Sequence, residues 1–584
     1  MNEFWNLDPI YKGFEDPAFA ADLEQLKKTV EEFAAFAQEL TGIAPLVGLH
    51  RGIRLQEQVS ELANKLAEYA SLRQSVNTRD PEAGSRLGQI MAIYSGYAAP
   101  AAAFESWAAK LPGLMELVAG DENLKDYTYL FSNMLESSRH LLEGRGEEIM
   151  AKLRLSGGDA WSDMQSYLTS TVPVTYRGET TNLSSIRNLA YDPDPQVRKD
   201  AFEAELAAYD RIKDAVAFSL NSIKLETISD CQLRGYESPL LRTLKHSHME
   251  KATLDAMFAA IDEYSPKFWQ YLKAKGKALG HENGLPWYDL FAPMGASSTK
   301  FTAEDAKRYL VEQFTGFDQE LADMVERAFN EAWIDFYPRD GKVGGAFCAG
   351  VECLGQSRIL SNFDGMFGDV VTLAHELGHA FHNQCIRSHR PLNHDYSMPV
   401  AETASTFNEC VVMASAINKA ADNAEKLALI ESQLQDATQI ICDIYSRFRF
   451  EAKVFENRQE QFMNADTLCA LMLEAQKQSY GDGLDHNVLH PYMWVCKSHY
   501  YGPTFYNFPY AFGGLFARGL YAQYEKEGAA FVPKYKKLLY TTPVASAEDT
   551  AKVAGIDLTD KEFWRGALQT IADQIDLFCQ LVEE

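Results

Sequence analysis

The sequence predicts a mainly α-helical protein with one small β-sheet set just before a helix that carries HELGH, residues 375–379. Three observations lead there. Apolar residues recur at intervals of three and four through the first third of the chain, a glycine-punctuated stretch at 339–365 breaks that rhythm, and helical periodicity then resumes through VVTLAHELGHAFHNQC.

The early helices are read from Leu23, Leu26, Val30, Phe33, Phe36 and Leu40, and from Leu55, Val59, Leu62, Leu66 and Tyr69, two amphipathic stripes expected to pack antiparallel. Across TSTVPVTYRGETTNL the period fails and Thr, Val, Tyr and Gly accumulate, which predicts a hairpin or extended connector. A domain boundary is placed beside it, giving a helical domain over 1–190 and a second domain over 191–584. Helix resumes at DPDPQVRKDAFEAEL, with Asp194 as cap and Pro195 in the first turn, and continues to about residue 335. In RDGKVGGAFCAGVECLGQSRILSNFDG, the runs Gly345–Cys348 and Arg358–Phe363 read as strands of the small sheet.

Composition excludes several functions. At 584 residues the chain can bury more than one core, and no stretch approaches the roughly 20 unbroken apolar residues of a membrane helix. A formal charge of −27 repels phosphate backbones and anionic lipid surfaces, so neither nucleic acid nor membrane is an expected partner. No obligate protein partner is evident. The opening MNEFWNLDPIYKGFEDPAFA has no basic segment followed by an apolar one, and the nine cysteines are scattered and odd in number, so the expected setting is the reducing cytoplasm. Cys348 and Cys353 lack a second cysteine pair and are not expected to hold zinc. No GxxxxGK[ST] loop and no internal repeat occurs.

The HELGH stretch carries the chemistry. His375 and His379 are four residues apart, so on a helix they share a face about 6 Å apart along the axis and can converge on one metal. Glu376, beside the first histidine, can take a proton from water activated there. Gly378 is costly in a helix centre unless something packs closely against it. A catalytic zinc needs a third protein ligand. His382 lies about 10 Å from His375 along the axis, too far to share the ion. The HExxHxxGxxH pattern fails, because residue 382 is His and residue 385 is Cys. PVAETASTFNECVVMASAINKA instead reads as a second amphipathic helix with Glu402, Ser405 and Glu409 on one face. One of the two glutamates can ligate the metal while the other orients a histidine, and spacing does not rank them. His246 and His248 read as a strand or polar loop, and His389, His394, His486 and His490 as solvated loop residues, with His394 at a cleft edge.

DVVTLAHELGHAFH, the following AETASTFNE, the preceding GKVGGAFC and the aromatic stretch HYYGPTFYNFPYAFGG together resemble the thimet oligopeptidase and oligoendopeptidase F family of zinc metallopeptidases, and most closely oligoendopeptidase F. The resemblance runs over nearly the whole chain. It implies a two-lobed helical molecule with a deep channel, one Zn2+ on His375, His379 and Glu402, Glu376 as general base and Glu409 behind a ligand histidine. It also implies that His499, Tyr506 and Tyr510 stabilise the tetrahedral intermediate. Gly345, Ala346 and Phe347 are expected to offer a strand edge to an extended peptide through main-chain hydrogen bonds. The implied activity is hydrolysis of internal bonds in short, unstructured oligopeptides. A zinc-stabilised peptide-binding protein without turnover and a metal-dependent hydrolase of non-peptide amides are the competing classes; Glu376 has no use in the first.

Overall fold

The computed structural model describes residues 2–143, 145–295 and 300–583. Helices carry most of it. Pro17–Glu39 and Pro45–Val76 are the two long N-terminal helices. They run antiparallel: Asp22 near the start of the first meets Lys65 late in the second, and Glu39 at its end meets Arg51. Leu26, Phe33 and Phe36 of the expected stripe are buried between them and their neighbours.

The predicted connector is a hairpin of β1 (Val174–Tyr176) and β2 (Glu179–Thr181), antiparallel with Val174 opposite Thr181. Its two-residue turn places Arg177 and Gly178 both at positive φ, 49° and 86°, the mirror-image turn that matches strand twist. Pro195–Asp210 begins as expected, with the Asp194 carboxylate accepting from Gln196 N and proline in the first turn.

The second sheet has three strands in the order β3–β5–β4. The two expected strands are present as β4 (Phe347–Val351), which starts two residues after Gly345 and runs three past Cys348, and β5 (Gln356–Leu360), which stops three residues short of Phe363; they pair antiparallel. β3 (Ile334–Asp335) runs parallel to β5 and was not anticipated, because two residues show no period. β4 is an edge strand with no further strand partner among the described residues.

One large core spans Ile228 to Phe578 and takes in Leu373, Leu377 and Phe381 from the HELGH helix. Residues 172–223 share a second core with 450–501. The N-terminal helices pack on the small sheet through Val351 and Leu360. All nine cysteines are free thiols, and no helix among the described residues is long and apolar enough to cross a membrane.

Candidate metal centre

The HELGH helix is Phe367–Ile386. Its start is set by Asp369, whose carboxylate accepts from the backbone N–H groups of Asp364 and Met366 at 2.9 Å each. Leu373, Leu377 and Phe381 bury one face, which turns His375 and His379 toward the opposite side. Gly378 meets the expected close approach: a Cβ there would lie 2.5 Å from Ala404 O and from Ser405 Cα. Asn408 fastens the same crossing by donating to Ala374 O at 3.1 Å.

The segment after it departs from the expected single helix. Met398–Ala401 is a short turn, and the long helix Thr403–Lys419 starts after a break at Glu402 (φ −90°, ψ 11°). The Thr403 hydroxyl donates to Val400 O at the joint, and Ser405 Oγ donates to Glu402 Oε2 at 2.8 Å. The break projects Glu402 across the gap to the HELGH helix. Glu402 Oε2 stands 3.3 Å from His375 Nε2 and 3.4 Å from His379 Nε2. These three side chains form a group able to hold a metal ion, with ligand atoms within 4.8 Å of one another. A tetrahedral zinc with bonds of about 2.0–2.1 Å has ligand–ligand edges of about 3.3–3.4 Å, so the two glutamate–histidine spacings fit the ion.

Glu409, two turns along the second helix, does the other job. Its Oε1 lies 2.5 Å from His375 Nδ1, leaving Nε2 of the same ring for the metal side. Burial pulls the His375 imidazolium down, but its bonds to Glu402 and Glu409 prevail and push it up to about 10. Burial likewise opposes ionisation of Glu402, yet the two histidines hold it well below the usual carboxylate range. Glu376 is different. It is buried, makes no side-chain hydrogen bond among the described residues, and burial outweighs the nearby histidines to raise its pKa, which makes it a better base than a surface glutamate.

His375, Glu376 and Glu409 line a cavity of about 900 Å³ together with Gly345, Ala346, Asn362, Asp436 and Arg518. Gly345, at φ 78°, is pinned by Asn362 Nδ2, which donates to its carbonyl at 2.7 Å. The Phe347 side chain points away from this cavity and packs against Trp5 at 6.3 Å between ring centres. Sequence reading missed Asn362, Asp436 and Arg518, whose types and spacings carry no motif. Asp436 lines the cavity and is open to its water; partial desolvation there and the nearby Glu409 raise its pKa to about 6.

His499, Tyr506 and Tyr510 form one ring cluster, with His499 centred 5.4 Å from Tyr506 and 5.8 Å from Tyr510. Tyr510 lies in the first turn of Phe508–Glu527, and that helix packs directly on the metal group, since a Cβ at Gly513 would be 3.2 Å from Glu402 Cβ. Burial and a bond with Tyr506 raise the Tyr510 phenol. The loop carrying Tyr506 is clamped by buried Glu451, which accepts from Phe505 N (3.1 Å), Asn507 Nδ2 (2.9 Å) and Lys224 Nζ (2.7 Å).

The remaining histidines are elsewhere. His382 is buried against Tyr396 and bonded to Thr542. His246 ends a helix and His248 follows at φ 51°, so neither belongs to a strand. His394 pairs with Glu352 at 3.1 Å, and His486 and His389 lie in exposed segments. His490, expected to be solvated, is 1% exposed: Trp287, Phe202 and Tyr209 enclose it and Glu205 lies 3.5 Å away.

A mainly helical fold with two histidines and a glutamate gathered beside the buried HExxH glutamate defines a metallopeptidase. Comparison with known proteins narrows the class. The model of peptidase family M3 matches residues 188–570, and an oligopeptidase F model matches 113–172. The chain is 24% identical to oligopeptidase PepF of Bacillus subtilis (strain 168) over 590 residues, covering 98% of this chain and 86% of that protein. It is 23% identical to an oligoendopeptidase F homolog of Lactococcus lactis subsp. lactis, with 99% and 97% covered. Among solved structures, one from Chlamydophila abortus superposes with a TM-score of 0.88 at 21% identity (99% and 98% covered), and oligoendopeptidase-F from Enterococcus faecium with 0.70 at 17% (97% and 99%). The chain belongs to peptidase family M3 and is a metallo-endopeptidase.

Proposed function

We propose that this protein is a zinc oligoendopeptidase that hydrolyses internal bonds of short, unstructured peptides. The observation that carries the reading is the His375–His379–Glu402 group, spaced as zinc ligands, beside a buried glutamate whose pKa is raised by burial. His375, His379 and Glu402 would hold one Zn2+, which when bound supplies Lewis acidity to the scissile carbonyl and to the attacking water.

The protein's own groups do the rest. Glu376 takes the proton of the attacking water and passes it to the departing amine, a transfer favoured by its raised pKa. Glu409 keeps the His375 ring in register through Nδ1. His499, Tyr506 and Tyr510 donate N–H and O–H groups to the oxygen that becomes anionic as the carbonyl is attacked. Gly345, Ala346 and Phe347, at the start of edge strand β4, pair with substrate main chain, so recognition tolerates varied side chains. Residues 191–584 constitute the catalytic domain, and 1–190 a helical domain laid against its sheet. Nine free thiols support a cytoplasmic home.

The test is cleavage of a mixed library of peptides about ten residues long by wild type, chelator-treated wild type and Glu376→Gln, with metal content measured in each. Zinc in both untreated proteins and internal cleavage only by untreated wild type is the expected result, Glu376→Gln losing about 10²–10⁴ in rate. Zinc-loaded wild type that cleaves no peptide refutes it.

A further inference from the structure

Arg447 lies against the ring cluster in a position that the reaction scheme does not use. It is 7% exposed, and its Nη1 is 3.2 Å from His499 Nδ1. A guanidinium has five N–H donors, no acceptor, and remains charged across the accessible pH range. The bond can therefore run only one way: Arg447 donates and the Nδ1 lone pair accepts. With Nδ1 engaged as an acceptor, the single proton of the imidazole sits on Nε2. Protonating Nδ1 would break the bond and place two cations in contact.

The arginine is itself held in place. Asp443, 2% exposed, accepts from Arg447 Nη2 and closes the π-helical turn Gln439–Asp443 that leads into the helix Ile444–Arg458. The charged groups near His499 are Arg447 and Asp443 from this stretch and Lys497 from its own segment, while the Tyr506 and Tyr510 rings stand on its other sides. Burial, Arg447 and Lys497 all oppose a charge on the ring, against Asp443 alone, and its pKa falls below the ordinary histidine value.

We propose that Arg447 is a positioning residue that fixes His499 as a neutral Nε2–H donor, aimed at the oxygen of the substrate carbonyl. This rests on the reading of His499 as a stabiliser of that oxygen. The device removes the two failures open to a free histidine, the wrong tautomer and loss of neutrality in mild acid.

The experiment is ¹⁵N NMR of histidine-labelled, zinc-loaded, full-length protein, with His499→Gln identifying the signal. Wild type is expected to show the Nε2–H tautomer and to stay neutral to a pH below the ordinary histidine value of about 6.5. Arg447→Met with Asp443→Asn removes both charges, leaving neither stranded. In that variant His499 is expected to become a tautomer mixture, with kcat lower by about 10–100-fold and KM and zinc content unchanged, while burial and Lys497 still keep the ring from charging. An Nδ1–H tautomer in wild type overturns the proposal even if the variant does not fold. So does a folded, zinc-loaded double variant with wild-type tautomer and kcat. Full activity of His499→Gln instead overturns the role given to His499, whatever the tautomer.

Discussion

A methyl group added at Gly378 tests whether the metal group depends on how closely two helices approach. The HELGH helix and Thr403–Lys419 touch there backbone to backbone, and the alanine Cβ would lie 2.5 Å from Ala404 O and Ser405 Cα. Ordinary contact is about 3.5–4.0 Å, so the helices must part by roughly 1 Å. Alanine recovers about 1 kcal/mol of helix propensity, while overpacking costs about 1–3 kcal/mol, so the net loss of stability is modest, about 0–2 kcal/mol. The site suffers more. Glu402 precedes the displaced helix directly, and its Oε2 is now 3.3 and 3.4 Å from the two imidazoles. A shift of roughly 1 Å is half the length of a zinc–ligand bond, and we expect Gly378→Ala to weaken zinc binding by at least about 10–100-fold. Competition against a chelator of known affinity reads this directly, and thermal unfolding with and without zinc separates it from the stability change. Wild-type zinc affinity in a folded Gly378→Ala protein would falsify the idea that this crossing sets the donor spacing.

Three other outcomes are expected. Glu409→Gln should retain the fold but weaken zinc binding about 10–100-fold, since it replaces the carboxylate behind His375; unchanged metal retention in dialysis against chelator would count against that role. Glu451→Leu strands Lys224 in the interior and should cost about 3–5 kcal/mol in urea unfolding, much of it recovered by adding Lys224→Met; a single variant as stable as wild type would show that the clamp is not needed. Asp436 has a folded-state pKa raised to about 6, so folding favours its protonated form and the protein loses stability through this group as pH rises from about 4 through about 6. Asp436→Asn should therefore raise the melting temperature relative to wild type at pH 7.5 and not at pH 4, and an equal difference at both would contradict the shift.

Local pattern in the sequence was enough for the class of fold and for singling out the helix that carries HELGH. Periodicity reports which side of a helix is apolar, so the antiparallel N-terminal pair and the buried stripe Leu373, Leu377 and Phe381 could be read directly, as could the cap at Asp194 and the strand runs flanking 351–356. Gly378 announced a close approach because nothing else justifies glycine in a helix centre. What no local pattern contains is the identity of the distant segment that arrives. The split at Glu402 depends on side-chain bonds at a joint, and it separates the glutamate near both imidazole Nε2 atoms from the one behind Nδ1, a ranking that spacing left open. His490 looked solvated because its enclosing rings come from residues 202, 209 and 287. Arg447 reaches His499 across 52 positions. The sequence by itself determined the helices, their buried faces and the two histidines and glutamate of HELGH, because those follow from interactions within a few turns. Only the tertiary structure decided which carboxylate stands at 3.3 Å, which ring nitrogen is free and which buried charge faces it, because those distances arise from packing between segments that the chain brings together only on folding.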